Sequence, residues 1–178
     1  MANFEKIFKE QIILDLGSSE HEKYGFTETS AKNLGYDGDF RLFSIQDAKT
    51  LYKVHYWAPF NFEDIQNSKM AMELFEFTRH TRNGELAVRI MQRSFNVLNK
   101  NILLNEDGVL GVDTQKAVNT YKFYKSLFKT MNIIQGMYHI FEAEGDVVSS
   151  NLMNSHKTSS SSCVDKNFVR DWIDKIIK

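Results

Sequence analysis

The sequence predicts an all-α protein, and three features carry that prediction. Apolar residues recur three and four positions apart in one segment after another, which puts a single apolar stripe on each helix. No segment alternates apolar and polar residues over the length of a strand. The one proline, Pro59, stands between two periodic segments rather than inside either.

In chain order, Phe4, Ile7, Phe8, Gln11, Ile12 and Asp15 share one face of a first helix that stops at Gly17. A short helix spans 27 to 34 and ends at Gly35, and "YDGDF" turns on Asp37-Gly38. Ser44 then opens "SIQDAKTLYKVHYW", with Asp47 at the third helical position, close to a capping box. Ile45, Ala48, Leu51, Tyr52 and His55 line its face, and Pro59 breaks it. "EDIQNSKMAMELFEFTRHT" follows, with a stripe of Ile65, Met72, Leu74, Phe75 and Phe77, and ends at "RNG". Helices are expected over 85 to 98, 114 to 121 and 123 to 143, the first two separated by the polar turn "NEDGVLG". The serine-rich stretch 147 to 163 has no period and reads as a loop. "KNFVRDWIDKII" carries Phe168, Val169, Trp172, Ile173 and Ile176 on one face, which a terminal helix would bury by docking back.

Composition narrows the function classes. With 22 basic and 23 acidic residues and no basic stripe, nucleic acid is not the expected partner. No apolar run approaches the ~20 residues that span a bilayer, so no membrane insertion is expected. The first ten residues, "MANFEKIFKE", lack the apolar core of a cleavable signal peptide. Synthesis in the cytoplasm is the expectation, with any work beyond the membrane requiring a separate export route. Cys163 is the only cysteine and reads as a free thiol in a loop.

The five histidines show no zinc spacing, "GVLGVDT" lacks the Lys-Ser/Thr ending of a phosphate loop, and no serine sits in a nucleophile elbow. Neither a metal nor a cofactor is expected. Carboxylates remain. In "IILDLGSSEHEKYGFT", Asp15 ends a helix and Glu20 and Glu22 follow in a polar turn. Apolar neighbours and the negative end of a helix dipole both raise a carboxyl's pKa, as a proton donor requires. Taken alone, a helix-end aspartate is more often an ordinary solvated residue. Tyr52 and Tyr56 share a face and suit a core as well as a sugar-stacking groove, whereas Tyr24, beside Gly25, suits a cleft. Arg79 and Arg82 read as solvated surface, with carboxylates of a peptide stem as the alternative.

Several stretches together resemble the glycoside hydrolase family 108 lysozyme-like muramidases, a group that includes secretion activator proteins and phage-type endolysins. In that family a first helix runs from Phe to Glu-Gly-Gly, and a "Thr-Lys-Tyr/Trp-Gly" segment follows. Here Phe8, Asp15 and "HEKYGF" take those places. "LGYDGDFRLFSIQDAKTLYKVHYWAPF" carries the most specific motif, in Asp39, Ala48, Tyr52, Tyr56, Trp57 and Pro59. Ala87, Gln92, Asn96, Asp107, Gly108, Gly111, Thr114 and Ala117 resemble the associated C-terminal peptidoglycan-binding module.

The resemblance implies a lysozyme-like helical bundle, a single compact unit of two halves. Residues 1–82 would be catalytic in type, and 83–178 wall-binding, with the loop and a docked C-terminal helix. It further implies an N-acetylmuramidase acting on the β-1,4 bonds of peptidoglycan glycan strands, in phage lysis or secretion-linked wall remodelling. A holin or secretion machinery would be a further partner, and the site of action the periplasm or wall. Asp15 would be the acid, Glu22 the second carboxylate and Glu20 the reserve, with Tyr24, Tyr52, Tyr56 and Trp57 binding substrate. The chain departs from the pattern where it matters. Asp15 replaces the family's Glu, Leu16 a Gly and Glu22 a Thr, and the intervening loop is shorter. Aspartate retracts the carboxyl by ~1.5 Å, and such a misplacement costs about a hundredfold in rate. The competing expectation is therefore a catalytically degenerate glycan-binding component on the same scaffold. A toxin-type effector is a third.

Overall fold

The computed structural model describes residues 1–12, 21–99 and 102–144. The described chain is predominantly helical, as the periodicity predicts. It divides into two compact units, Met1–Gly84 and Glu85–Lys178.

The first unit opens with α1, Phe4–Ile7, capped by Asn3 and continued by a π-helical turn over Phe8–Ile12. A two-stranded antiparallel hairpin follows, β1 (Glu22–Lys23) with β2 (Phe26–Thr27). It departs from the predicted helical pattern, and the cause is length. Two residues per strand cannot display an alternation. Thr27 and Ser30 form a capping box that starts α2, Glu28–Asn33, and Gly35 takes a positive φ just beyond its end. The capping box predicted at Ser44 and Asp47 starts α3, Ile45–Tyr52. That helix runs on as a π turn, Lys53–Trp57, and tightens into the 3₁₀ turn Ala58–Phe60 at Pro59. Asn67 caps α4, Ser68–Thr81, which starts a few residues later than its apolar pattern suggests. Residues Phe62–Asp64 form a separate 3₁₀ turn instead. Arg82, left-handed at φ 55°, closes α4.

Aromatic rings fill the core of this unit. Trp57 lies 5.4 Å from Phe4, 5.8 Å from Phe62 and 5.8 Å from Phe75, all tilted or edge-on. Such pairs add about 0.5–1.5 kcal/mol each beyond the area they bury. Phe26 and Tyr52 extend the cluster with centroids 4.6 Å apart.

The second unit comprises α5 (Gly84–Leu98), whose first residue lies at the boundary, α6 (Val112–Thr120) and α7 (Tyr124–Glu144). Leu86, Val88, Ile90, Met91, Phe95, Leu127 and Met131 are buried. A polar clasp holds the turn between α5 and α6. Gln92, with no exposure, brings its Nε2 within 2.9 Å of Asp107 Oδ1, 3.0 Å of the Val109 carbonyl and 3.2 Å of Thr114 Oγ1. Its Oε1 accepts from the Gly108 amide at 2.9 Å. Asn96 closes the other side, donating to the Leu104 carbonyl and accepting from the Leu104 amide. Gly108 is obligatory here. Its φ is +80°, and an added Cβ would stand 2.7 Å from the Glu85 carbonyl oxygen. No described helix is long and apolar enough to cross a membrane.

Candidate functional site

A cleft of about 410 Å³ is cut into the first unit, with three walls from three pieces of local structure. The hairpin supplies Gly25 and Phe26. Tyr24 and Gly25 form its two-residue turn, with φ of 53° and 79°. Positive φ at both positions matches the right-handed twist of a tight hairpin, and "YG" meets the requirement with glycine at only one of them. The left-handed conformation of Tyr24 costs about 1–2 kcal/mol and needs a restraint. Tyr52 provides one, its hydroxyl donating to the Tyr24 carbonyl at 3.0 Å across 28 positions of sequence. Lys23 Nζ donates to the Arg41 carbonyl and ties down the adjoining strand.

The second wall is α2 and its end, with Ser30, Asn33 and Leu34. His55, on the π turn, approaches the Leu34 carbonyl through Nε2 at 2.9 Å. A carbonyl only accepts, so this nitrogen carries a proton. Tyr52 and Tyr56, one helical turn apart, form the floor. Burial pushes the Tyr52 hydroxyl up to about 12, Glu22 adding slightly and the Arg79 guanidinium opposing. Burial raises Tyr56 too, opposed by Arg82 and then Arg79. Both phenols are neutral at physiological pH.

The third wall is the C-terminal turn of α4, with Arg79, His80 and Arg82. Cations suit this position because the helix dipole is negative there. Arg79 Nη2 donates to His80 Nε2 at 3.1 Å. Among the described lining residues there are cations and phenols but no carboxylate.

The predicted site residues distribute unevenly over this geometry. Asp15 and Glu20 lie outside the described residues. Glu22 stands exposed on β1, its charge felt at the buried Tyr52 hydroxyl. Tyr52 and Tyr56 line the cleft while also packing in the core, 1% and 9% exposed. Tyr24 turns its ring toward Phe43, at 6.4 Å, and reaches the cleft region through its backbone. Trp57 is 2% exposed inside the aromatic core and is not among the lining residues. His55, Asn33 and Ser30 were not singled out in the sequence, since only the tertiary fold brings them together. The sequence suggests solvated surface for Arg79 and Arg82, and the structure has Arg79 half-buried and Arg82 exposed. Both line the cleft. Among the described residues no group of three His, Cys, Asp or Glu side chains could hold a metal.

A groove with an aromatic floor and a cationic edge has the form of a unit that binds a ligand rich in hydroxyls and bearing negative charge. Residues 15–81 match the family described as Glycosyl hydrolase 108. The match covers less than half of the sequence and leaves the second unit unassigned. Comparison with curated proteins returns no match.

Proposed function

We propose that the protein is a peptidoglycan hydrolase that cleaves the β-1,4 glycosidic bond beside N-acetylmuramic acid, after export to the cell wall. One observation carries this reading. The family match begins at Asp15 and takes in every residue lining the cleft except Arg82. Asp15 donates a proton to the leaving oxygen as the ring acquires cationic character. Glu22, on the hairpin beside the cleft, is the second carboxylate. A separation of ~5 Å between the two would make it a nucleophile, and ~6.5–9.5 Å would leave room for an attacking water. The two neutral phenols border the floor of the groove without adding charge near the developing cation. Phage-type lysis or passage of a secreted cargo, with a holin or secretion machinery as partner, is the setting consistent with such an activity.

A second reading follows from aspartate standing where the family has glutamate, and from a described lining without carboxylates. In it the chain binds glycan without turnover. Assay of purified protein on isolated walls separates the two. Release of reducing ends by the parent, reduced at least a hundredfold in Asp15→Asn and strongly in Glu22→Gln with unfolding midpoints unchanged, supports the hydrolase. Retention on walls with no release by the parent, unaffected by either substitution, overturns it in favour of the binder.

A further inference from the structure

Arg79 hydrogen-bonds the Tyr52 hydroxyl and His80, and the charge of Arg82 acts on Tyr56, but no carboxylate is among the described lining residues beside them. Neither guanidinium takes part in the ion pairs Lys6–Glu10, Lys32–Glu28, Arg41–Asp39 and Lys49–Glu5. Arg79 is half-buried, yet its Nε is shielded from solvent and has no hydrogen-bond partner. Leaving a donor of a charged group desolvated and unpaired costs about 1–3 kcal/mol or more, so such a group is normally satisfied in the functional state. Arg82 is held in the left-handed cap of α4, so its side chain leaves a fixed backbone position at the same edge. The two arginines share the cleft with the Tyr52 and Tyr56 phenols and the His80 imidazole, to which Arg79 donates. Two planar forks on the lining of one cleft, with no described carboxylate among the lining residues, suit an oxyanion with two oxygens.

We propose that the Arg79–Arg82 edge of the cleft is a carboxylate subsite that selects acidic glycan over neutral glycan of the same length. This rests on the peptidoglycan reading, because within that polymer the carboxylate has two sources. It is the lactyl group of the muramic residue where the stem peptide is missing, or a carboxylate of the stem where the peptide is attached. A chain of N-acetylglucosamine alone offers neither.

The test is a binding titration of the full chain and of Arg82→Gln, Arg79→Gln and Arg79→Lys against three probes. These are a tetrasaccharide of alternating N-acetylglucosamine and free N-acetylmuramic acid, its stem-bearing muropeptide form, and the neutral N-acetylglucosamine tetramer. The parent is expected to bind at least one acidic probe about tenfold or more tightly than the neutral one, the scale of one charge-assisted bond. The preference should weaken with added salt. Arg82→Gln, at an exposed position that does not threaten the fold, should remove most of the preference, lowering affinity for the acidic probe far more than for the neutral tetramer. Arg79→Lys should retain charge but recover only part of the preference, because an ammonium lacks the fork. Preference for the free muramyl probe identifies the lactyl source, and preference for the muropeptide the stem. Equal binding of acidic and neutral probes by the parent, unaltered in Arg82→Gln, overturns the subsite while leaving the hydrolase reading intact. Wall digestion that fails altogether in the parent is the separate failure of that reading.

Discussion

Gln92 in the second unit and Arg79 in the first bury polar atoms and use them in opposite ways. In the second, Gln92 is without exposure, and both ends of its amide meet partners between 2.9 and 3.2 Å away. Nothing is left over for a ligand, and the motif residues Gln92, Asn96, Asp107, Gly108 and Thr114 read as the clasp of a loop. In the first, Arg79 buries an Nε with no partner among the described residues, and Arg82 lies at the open edge of a cleft. A saturated buried polar group reports architecture. Asn132 and Gln135 in the second unit also bury amide atoms without a partner among the described residues, so it is the cleft beside Arg79 that points to a ligand there.

The sharpest way to break this comparison is to cut the clasp. Gln92→Met preserves approximate shape but strands the Gly108 amide and takes a donor from the Val109 carbonyl and the buried Thr114 hydroxyl. It should cost about 2–4 kcal/mol in denaturant unfolding, because several partners lose bonds at once. A cost under half a kilocalorie per mole would mean that water replaces the amide and that the clasp is not structural. Affinity for neutral glycan in the first-unit cleft should be unchanged wherever the variant remains folded.

Acid sensitivity provides the next contrast. Burial disfavours the imidazolium of His139 on α7 and lowers it from 6.5 to about 4. Between those values the unfolded chain binds a proton that the folded chain does not. The stability linked to His139 is therefore whole above about pH 6.5 and lost as pH falls toward 4, up to about 2–3 kcal/mol. Unfolding midpoints at pH 7 and 4.5 should differ less in His139→Gln than in the parent, whose carboxylates contribute equally to both proteins. Identical differences would show that His139 is solvated when folded.

The smallest effect should come from Tyr52→Phe. It deletes the hydroxyl that holds the left-handed Tyr24 carbonyl, leaves the ring packing in place, and should lower stability by about 1–2 kcal/mol. On the proposed chemistry it also loosens the hairpin carrying Glu22. Wall hydrolysis should then fall by more than the loss of folded protein explains, as specific activity at a temperature well below the transition would reveal. Unchanged specific activity would separate the turn from catalysis.

Local signals were legible to the extent that their chemistry is local. Ser44 and Asp47 announce a capping box three residues apart, and the structure forms it. Pro59 marks the change of helical form, and Gly35 the end of α2. The hairpin at 22–27 escaped because its strands are shorter than one period of alternation. Trp57 illustrates the other limit. An aromatic beside a motif tyrosine suits a groove or a core equally well in sequence, and only packing against Phe4, Phe62 and Phe75 decides between them. Arg79 and Arg82 resemble any helix-end cations until the cleft is seen beside them.

What the sequence determined by itself is therefore the succession of helices, their caps and the resemblance of 15–81 to a glycoside hydrolase family, since periodicity, capping and motif spacing act within a few turns of chain. What only the tertiary structure decided is which polar side chains are paired and which face open space. Tyr52 meets the Tyr24 carbonyl across 28 positions, and Gln92 meets Thr114 across 22. Desolvation and pairing at such separations depend on how the helices pack, and no local pattern encodes that.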